Sequence, residues 1–451
     1  MCFYVVSVGL VAAVLTFAFA PALVKEQPNA ILSLQILAPT IFLSGFLAIY
    51  RGYLQAYKTM IPTSVSQIIE QIANAVVSVL AAYLMSRPFV PGTSEHAKYG
   101  AAGSAMGTGA GVLCGIIYIL IAYAGRRKEI METVESDVSS DVESYGKLFR
   151  QIVMIVTPII IAAFVYNITT TVDMKIFYNV LNSKNVDRVE SANLYGIFSG
   201  QYMVLINLPV SIASAVGTTL IPNISGAFTK GDKAETNHVY NQSMSITMMV
   251  TIPCAVGIGV LSEPIITLLF RGADPLVFKA LTAGCISVVF YSLSTLTNSI
   301  LQGIGKVMEP VKNATLALLI HLVFLAAILK FTDAKLFGLV AATILYSLLA
   351  CIFNHISVSK YMSTKLDVKK IYLAPAVASI FMGIVAWGSY QIFDHLIHMN
   401  SVSVVLAILL AVIFYAAAIL AVGGYTKEEI LAMPKGTLIL KLAEKLHLVR
   451  E

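Results

Sequence analysis

Charge is what this sequence has least of: only 12% of its 451 residues are Asp, Glu, Lys or Arg, about half of the roughly 25% that soluble domains carry. That scarcity excludes a soluble enzyme, a nucleic-acid-binding module and a disordered chain. Long polar stretches are also scarce, which leaves no room for a sizeable domain outside a membrane. The five cysteines, Cys2, Cys114, Cys254, Cys285 and Cys351, all lie in apolar stretches without CxxC spacing. They read as small buried hydrophobes and give neither a metal site nor a disulfide framework. No GxSxG, Walker A, HExxH or paired-carboxylate motif occurs. The chain therefore reads as a non-enzyme without a cofactor, and with no ATP site its energy would come from an ion gradient, of protons or sodium, or from the membrane potential.

What the sequence has in abundance is hydrophobicity: 58% of residues are apolar and the mean hydropathy is +0.82. A membrane crossing takes about 20 such residues. Twelve runs qualify, at 3 to 24, 29 to 50, 62 to 86, 100 to 124, 151 to 180, 193 to 222, 244 to 270, 276 to 303, 311 to 329, 336 to 358, 371 to 393 and 401 to 424. The first lacks a basic flank and is too long for a signal peptide, so it reads as a span. The fold class is an all-α polytopic membrane protein. Of the 30 Lys and Arg residues, 20 fall in alternate loops and the C-terminal tail and 10 on the other side. Such a bias places both termini in the cytoplasm.

Organisation follows from the polar interruptions. A partial N-terminal lobe of four helices (1–124) leads through a cytoplasmic linker (125–150) to a six-helix lobe (151–360), two additional helices (361–424) and an amphipathic tail (425–451) suited to an anionic membrane face. An internal repeat supports this division. Leu54-Gln55-Ala56-Tyr57-Lys58-Thr59-Met60-Ile61-Pro62 resembles Leu301-Gln302-Gly303-Ile304-Gly305-Lys306-Val307-Met308-Glu309-Pro310, and spans one to four recur as spans seven to ten. Repeats packed around a central pathway are a common construction of secondary transporters. The second copy is preceded by two further spans and the first by none. The expectation is that two N-terminal helices of a fourteen-helix parent are absent.

These residues carry a family likeness. RGYLQAYKTMIPTSVSQIIEQI (51–72), NLPVSIASAVGTTLIPNISGAF (207–228) and TKEEILAMPKG (426–436) resemble stage V sporulation protein B and related polysaccharide-biosynthesis proteins. These belong to the multidrug/oligosaccharidyl-lipid/polysaccharide flippase superfamily, whose members have two six-helix lobes and two extra helices. Ala56 departs from the usual glycine. The resemblance implies a bacterial cell-membrane protein that flips an undecaprenyl-pyrophosphate-linked glycan, such as lipid II, by alternating access between two lobes. Its partners would be that lipid-linked glycan and membrane lipids, with no nucleic acid. The related lipid II flippases hold the pyrophosphate partly through arginines on their first two helices, none of which can be carried over here. Alternatives are a cation-coupled multidrug exporter on the same architecture, a truncated member without transport activity, and a membrane glycosyltransferase. Short outer loops weigh against the last.

Ionisable groups inside a bilayer are functional candidates by default. On the third span Thr63, Gln67, Glu70, Gln71, Asn74 and Ser78 recur at helical spacing. They would either line a cavity, with Glu70 as an ion-coupling site, or bind helices together. Arg51, at the end of the second span, would hold a diphosphate or anchor the cytoplasmic face. On the fifth span, Pro158 implies a bend; Asn167, Asp173 and Lys175 follow it, either on a moving element that attracts an acidic substrate or at an emerging helix end. Asn207 lies with Tyr195, Ser199, Ser211, Ser214 and Thr218 on a small-polar face of the sixth span. His321, His355, His395 and His398 show no partner pattern, and no metal site is expected.

Overall fold

The computed structural model describes residues 2–25, 27–56, 61–136, 144–270, 272–362 and 366–424. The expected tail at 425–451 and the turn lysine Lys58 lie outside these. Every regular element among the described residues is helical. In chain order they are α1 (Cys2–Leu23), α2 (Ile31–Ala56), α3 (Ile61–Ser86), α4 (Ser94–Glu135), α5 (Tyr145–Ser183), α6 (Arg188–Ile197), α7 (Met203–Thr229) and α8 (Lys233–Val260). There follow α9 (Ser262–Leu269), α10 (Pro275–Gly284), α11 (Ser287–Gly303), α12 (Met308–Phe331), α13 (Lys335–Tyr361), α14 (Ala374–Ile397) and α15 (Asn400–Ala421).

Ten helical segments among the described residues are long and apolar enough to cross a membrane, and the pair α10 and α11, bent by 52°, makes an eleventh. The remaining expected span, 151 to 180, falls within the 39-residue α5. Much of the expected linker is helical: α4 runs on to Glu135 and α5 begins at Tyr145. The expected single span at 244 to 270 is broken, because α8 ends at Val260 and α9 starts at Ser262. Helix starts obey local chemistry. The carboxylates of Asp187, Asp232 and Asp274 accept backbone N–H groups of Val189, Glu235 and Leu276, and Pro275 occupies the first turn of α10. Between α11 and α12, Gly305 takes a φ of +77°, which closes the turn without a Cβ clash.

The chain divides into two compact units, Met1–Val153 and Met154–Glu451, with the division inside α5. In the first, α4 packs against α2 and along α3. Gly103, Gly107 and Gly111 recur every four residues on α4, and a Cβ at any of them would collide with α3 backbone or side-chain atoms. This small-residue seam lets two membrane helices approach backbone to backbone. In the second unit, Phe177, Leu181, Tyr202, Ile206, Leu281 and Leu325 are among the buried residues of a shared core. Large apolar side chains also cover the outside, as Val11 and Phe17 do on α1 and Leu409 and Ile413 on α15. Such a surface suits a hydrocarbon solvent.

Candidate functional site

In the first unit the sequence candidates Arg51 and Glu70 meet. Arg51 lies inside α2, and its Nη2 donates to Glu70 Oε2 at 2.7 Å. The same nitrogen reaches Ser66 Oγ at 2.8 Å and Nε reaches it at 3.2 Å. Ser66 in turn donates to the Gly115 carbonyl at 3.3 Å. Three helices, α2, α3 and α4, are thus joined through one guanidinium. The Arg51 and Glu70 side chains are 16% and 20% exposed, so the pair borders open space while each charge keeps its partner.

The polar stripe of α3 splits into two faces. Thr63, Glu70, Asn74 and Ser78 turn inward, whereas Gln67 and Gln71 are exposed. Ser78 Oγ lies 2.9 Å from both Asn74 Oδ1 and the Ser104 carbonyl. Both readings of the stripe therefore describe part of it: one face binds α3 to α4 and the other remains open.

The repeat places a second polar junction at the equivalent position. Arg51 aligns with Asn298, whose Oδ1 accepts from Asn354 Nδ2 at 2.7 Å. Asn313 Nδ2 donates to Asn354 Oδ1 at 3.0 Å and to Ser357 Oγ at 2.8 Å. The helices joined here, α11, α12 and α13, match α2, α3 and α4. A charged pair in one copy is an amide cluster in the other.

Asp173 neither lines an open surface nor marks a helix end. It is 6% exposed within α5, and its Oδ1 lies 2.7 Å from Nε2 of His321 on α12. Nδ1 of His321 lies 2.8 Å from the Ala342 carbonyl on α13. His321 therefore has the partner that its sequence neighbourhood hides, 148 residues away. The legible signal was a histidine centred in the apolar run LALLIHLVFLAAIL, a placement that is costly without a partner. Lys175, two residues beyond Asp173, is exposed on another face, and Asn167 is exposed one turn before Thr170. On α7, Asn207, Ser211, Ser214 and Thr218 are all exposed, at spacings that put them on one face.

Two cavities open off the α7–α8 hairpin. One, of about 590 Å³, is lined by apolar groups, among them Leu205, Pro209, Gly257, Met382, Ile408 and Tyr415. It draws on α7, α8, α9, α14 and α15. The other, of about 690 Å³, lies at the turn and includes Asn223, Lys230, Asp232, Glu235, His238 and Gln242. Fifteen residues along α7 separate Leu208 from Asn223, a distance of about 22 Å at the helical rise. The same helix pair thus offers an apolar groove at one level and a polar pocket at another.

All-helical architecture among the described residues, apolar outer faces and ionic or amide junctions held between spans define the class of multi-pass helical membrane proteins. Within it the chain belongs to the lipid II flippase MurJ family, whose model matches residues 1–405. It is 26% identical over 354 residues to the lipid II flippase MurJ of Bacillus subtilis (strain 168), covering 76% of this chain and 63% of the relative. It is also 21% identical over 365 residues to stage V sporulation protein B of the same organism, covering 80% and 68%. The chain thus spans somewhat under two thirds of the length of the first of these relatives. Among solved structures, its fold is similar to a lipid II flippase MurJ in an inward closed conformation (TM-score 0.61, 20% identity, 91% of this chain and 80% of that one). An inward-facing multidrug resistance MATE family transporter is also similar (TM-score 0.59, 15% identity, 81% of each chain).

Proposed function

We propose that the chain moves a lipid-linked glycan from the inner to the outer leaflet of a bacterial cell membrane, with an undecaprenyl-pyrophosphate-linked sugar such as lipid II as substrate. The observation that carries this reading is the change of character along the α7–α8 hairpin. An isoprenoid chain needs apolar walls and a sugar diphosphate needs hydrogen-bond donors and charge, and one long amphiphile carries both along its length. Family membership supports the same substrate class. The excess of Lys and Arg at alternate loops supports a cytoplasmic side for both termini and, with them, for the pocket at Lys230 and His238.

Exposed amides supply the remaining chemistry. Gln67 and Gln71 on α3 and Asn207 on α7 can exchange hydrogen bonds with sugar hydroxyls, and Lys175 can attract the diphosphate or an acidic sugar. Arg51 keeps its charge balanced by Glu70 until a phosphate competes for it. Transport then proceeds by alternating exposure of the substrate to the two sides, driven by an ion gradient.

Reconstitution tests this. Vesicles containing the chain and a fluorescent lipid-linked glycan should expose the glycan to an externally added modifying reagent on both leaflets under an imposed ion gradient. Protein-free vesicles should keep the original distribution. An unchanged leaflet distribution in the presence of the protein would sink the proposal.

A further inference from the structure

The Asp173–His321 pair plays no part in the substrate surfaces above, yet its hydrogen-bond geometry fixes its proton content. The Ala342 carbonyl can only accept, so His321 Nδ1, 2.8 Å away, carries a hydrogen. Nε2 then has two states. In a charged imidazolium it donates across the 2.7 Å contact to an ionised Asp173. In a neutral imidazole it is a lone pair, and the same contact requires a proton on the Asp173 carboxyl. Both states hold one proton in the bridge and have no net charge. Removing that proton leaves a lone pair facing a carboxylate, with side chains 8% and 2% exposed, an arrangement that a buried site does not tolerate at this distance.

We infer that Asp173 and His321 form the proton-binding site that couples transport to a pH gradient. This rests on the transport reading above. With the proton in place, the bridge clamps α5 to α12 and, through the Ala342 carbonyl, to α13. Releasing it to water changes the net charge from zero to minus one, breaks the clamp and frees α5, the helix within which the division between the two units falls. One proton moves and no other bond is made or broken.

The surroundings fit that role. Among the described residues, the ionisable side chains around the pair are phenols: Tyr195 on α6, backed by Tyr178 of α5, and Tyr346 on α13. Tyr195 sits in the electrostatic field of Asp173 and Tyr178, and its hydroxyl donates to the Thr170 carbonyl at 3.0 Å. Tyr346 stands edge-on to the His321 ring at 5.7 Å, with Tyr291 of α11 behind it. None of these phenols supplies a competing charge, and Lys175 is exposed on another face of α5. A hard cation such as sodium seeks a cage of oxygens, whereas here an imidazole nitrogen occupies the near side of the carboxylate. Glu70, the other carboxylate within a span considered above, is already balanced by Arg51.

The test uses reconstituted chain in vesicles with the fluorescent lipid-linked glycan. Wild-type protein should move glycan faster under a pH gradient, and replacing sodium by potassium should change nothing. Asp173→Asn, whose amide can donate to Nε2 as the protonated carboxyl does but cannot release that proton to water, should keep the clamp closed and lose the stimulation by pH. Transport that follows a sodium gradient and ignores pH overturns the proton assignment while leaving the transport reading intact. If no glycan moves under any condition, the transport reading fails. Nitrogen NMR of ring-labelled histidine in purified protein then decides the pair by itself. Wild type should show Nδ1 protonated throughout and one further proton at the His321–Asp173 bridge, lost only with a structural change. His321 titrating identically in wild type and Asp173→Asn overturns the proposal.

Discussion

Single side chains decide whether the spans hold together. Glu70→Ala removes one end of a pair that is at most one-fifth exposed, leaving Arg51 with only Ser66 among the partners described above. We expect a loss of about 1–3 kcal/mol in stability, the usual cost of depriving a largely buried charged donor of its acceptor. Thermal unfolding in detergent reads it directly. Arg51→Gln should cost a similar amount, and the double variant should lose less than the sum, because the two share one interaction. Additive losses would show that the pair contributes nothing. Glu70 was legible as an ionisable group in an apolar span and Arg51 as one at a span's end, and the helical spacing of the α3 polar residues was legible as a stripe. Their pairing was not, because it depends on how α2 and α3 rotate about their own axes. The Asp173–His321 contact shows the limit more sharply: 148 residues lie between the partners, and no local periodicity carries that information. Asn207 illustrates the opposite case, since it shares an exposed face with Ser211, Ser214 and Thr218, at the spacing visible in the sequence.

At the scale of whole helices, hydropathy located nearly every span, because a bilayer demands long apolar runs and short apolar runs do not imitate them. Breaks within spans were less legible. The bend between α10 and α11 falls after Gly284, and the π-helical turn at Phe198–Tyr202 interrupts the passage from α6 to α7. The sequence of that turn contains no proline to announce it. The α3–α4 seam was visible only as a glycine-rich run, whereas its purpose becomes clear from contact: a Cβ on Gly111 would lie 2.6 Å from the Glu70 carbonyl oxygen. Gly111→Ala should therefore push α4 away from α3 and cost about 1–3 kcal/mol. Gly125 lies on the same helix with nothing within 4 Å of an added Cβ, so Gly125→Ala should be neutral or stabilising by up to about 1 kcal/mol. Comparing the two unfolding midpoints separates close packing from helix propensity, and equal effects would dismiss the seam.

For the whole molecule, the repeat was the most informative sequence feature, because it predicted that two triads of helices share a plan. The structure fills both with polar junctions, one built on Arg51 and the other on Asn298 and Asn354. What the repeat could not show is the amphiphilic hairpin in the second unit, since the walls of its groove come from α7, α8, α9, α14 and α15, and three of these, α7, α14 and α15, lie outside the repeated segment. Gly257 tests that groove with little structural disturbance. An added Cβ there meets only Met382, at an ordinary 3.9 Å, so Gly257→Leu can be accommodated while its side chain projects into space assigned to the isoprenoid chain. Thermal stability should change by less than about 1 kcal/mol, within the range of volume changes at an open site. Glycan movement should fall by about tenfold or more, because a few methylene groups in an apolar site are worth that factor. A water-soluble glycan diphosphate lacking the lipid should still bind at the polar pocket near Lys230 and His238 with unchanged affinity. If Gly257→Leu instead transports the lipid-linked substrate at the wild-type rate, the groove does not hold its tail. If the variant loses binding of the lipid-free headgroup as well, the apolar and polar sites do not act as separate subsites.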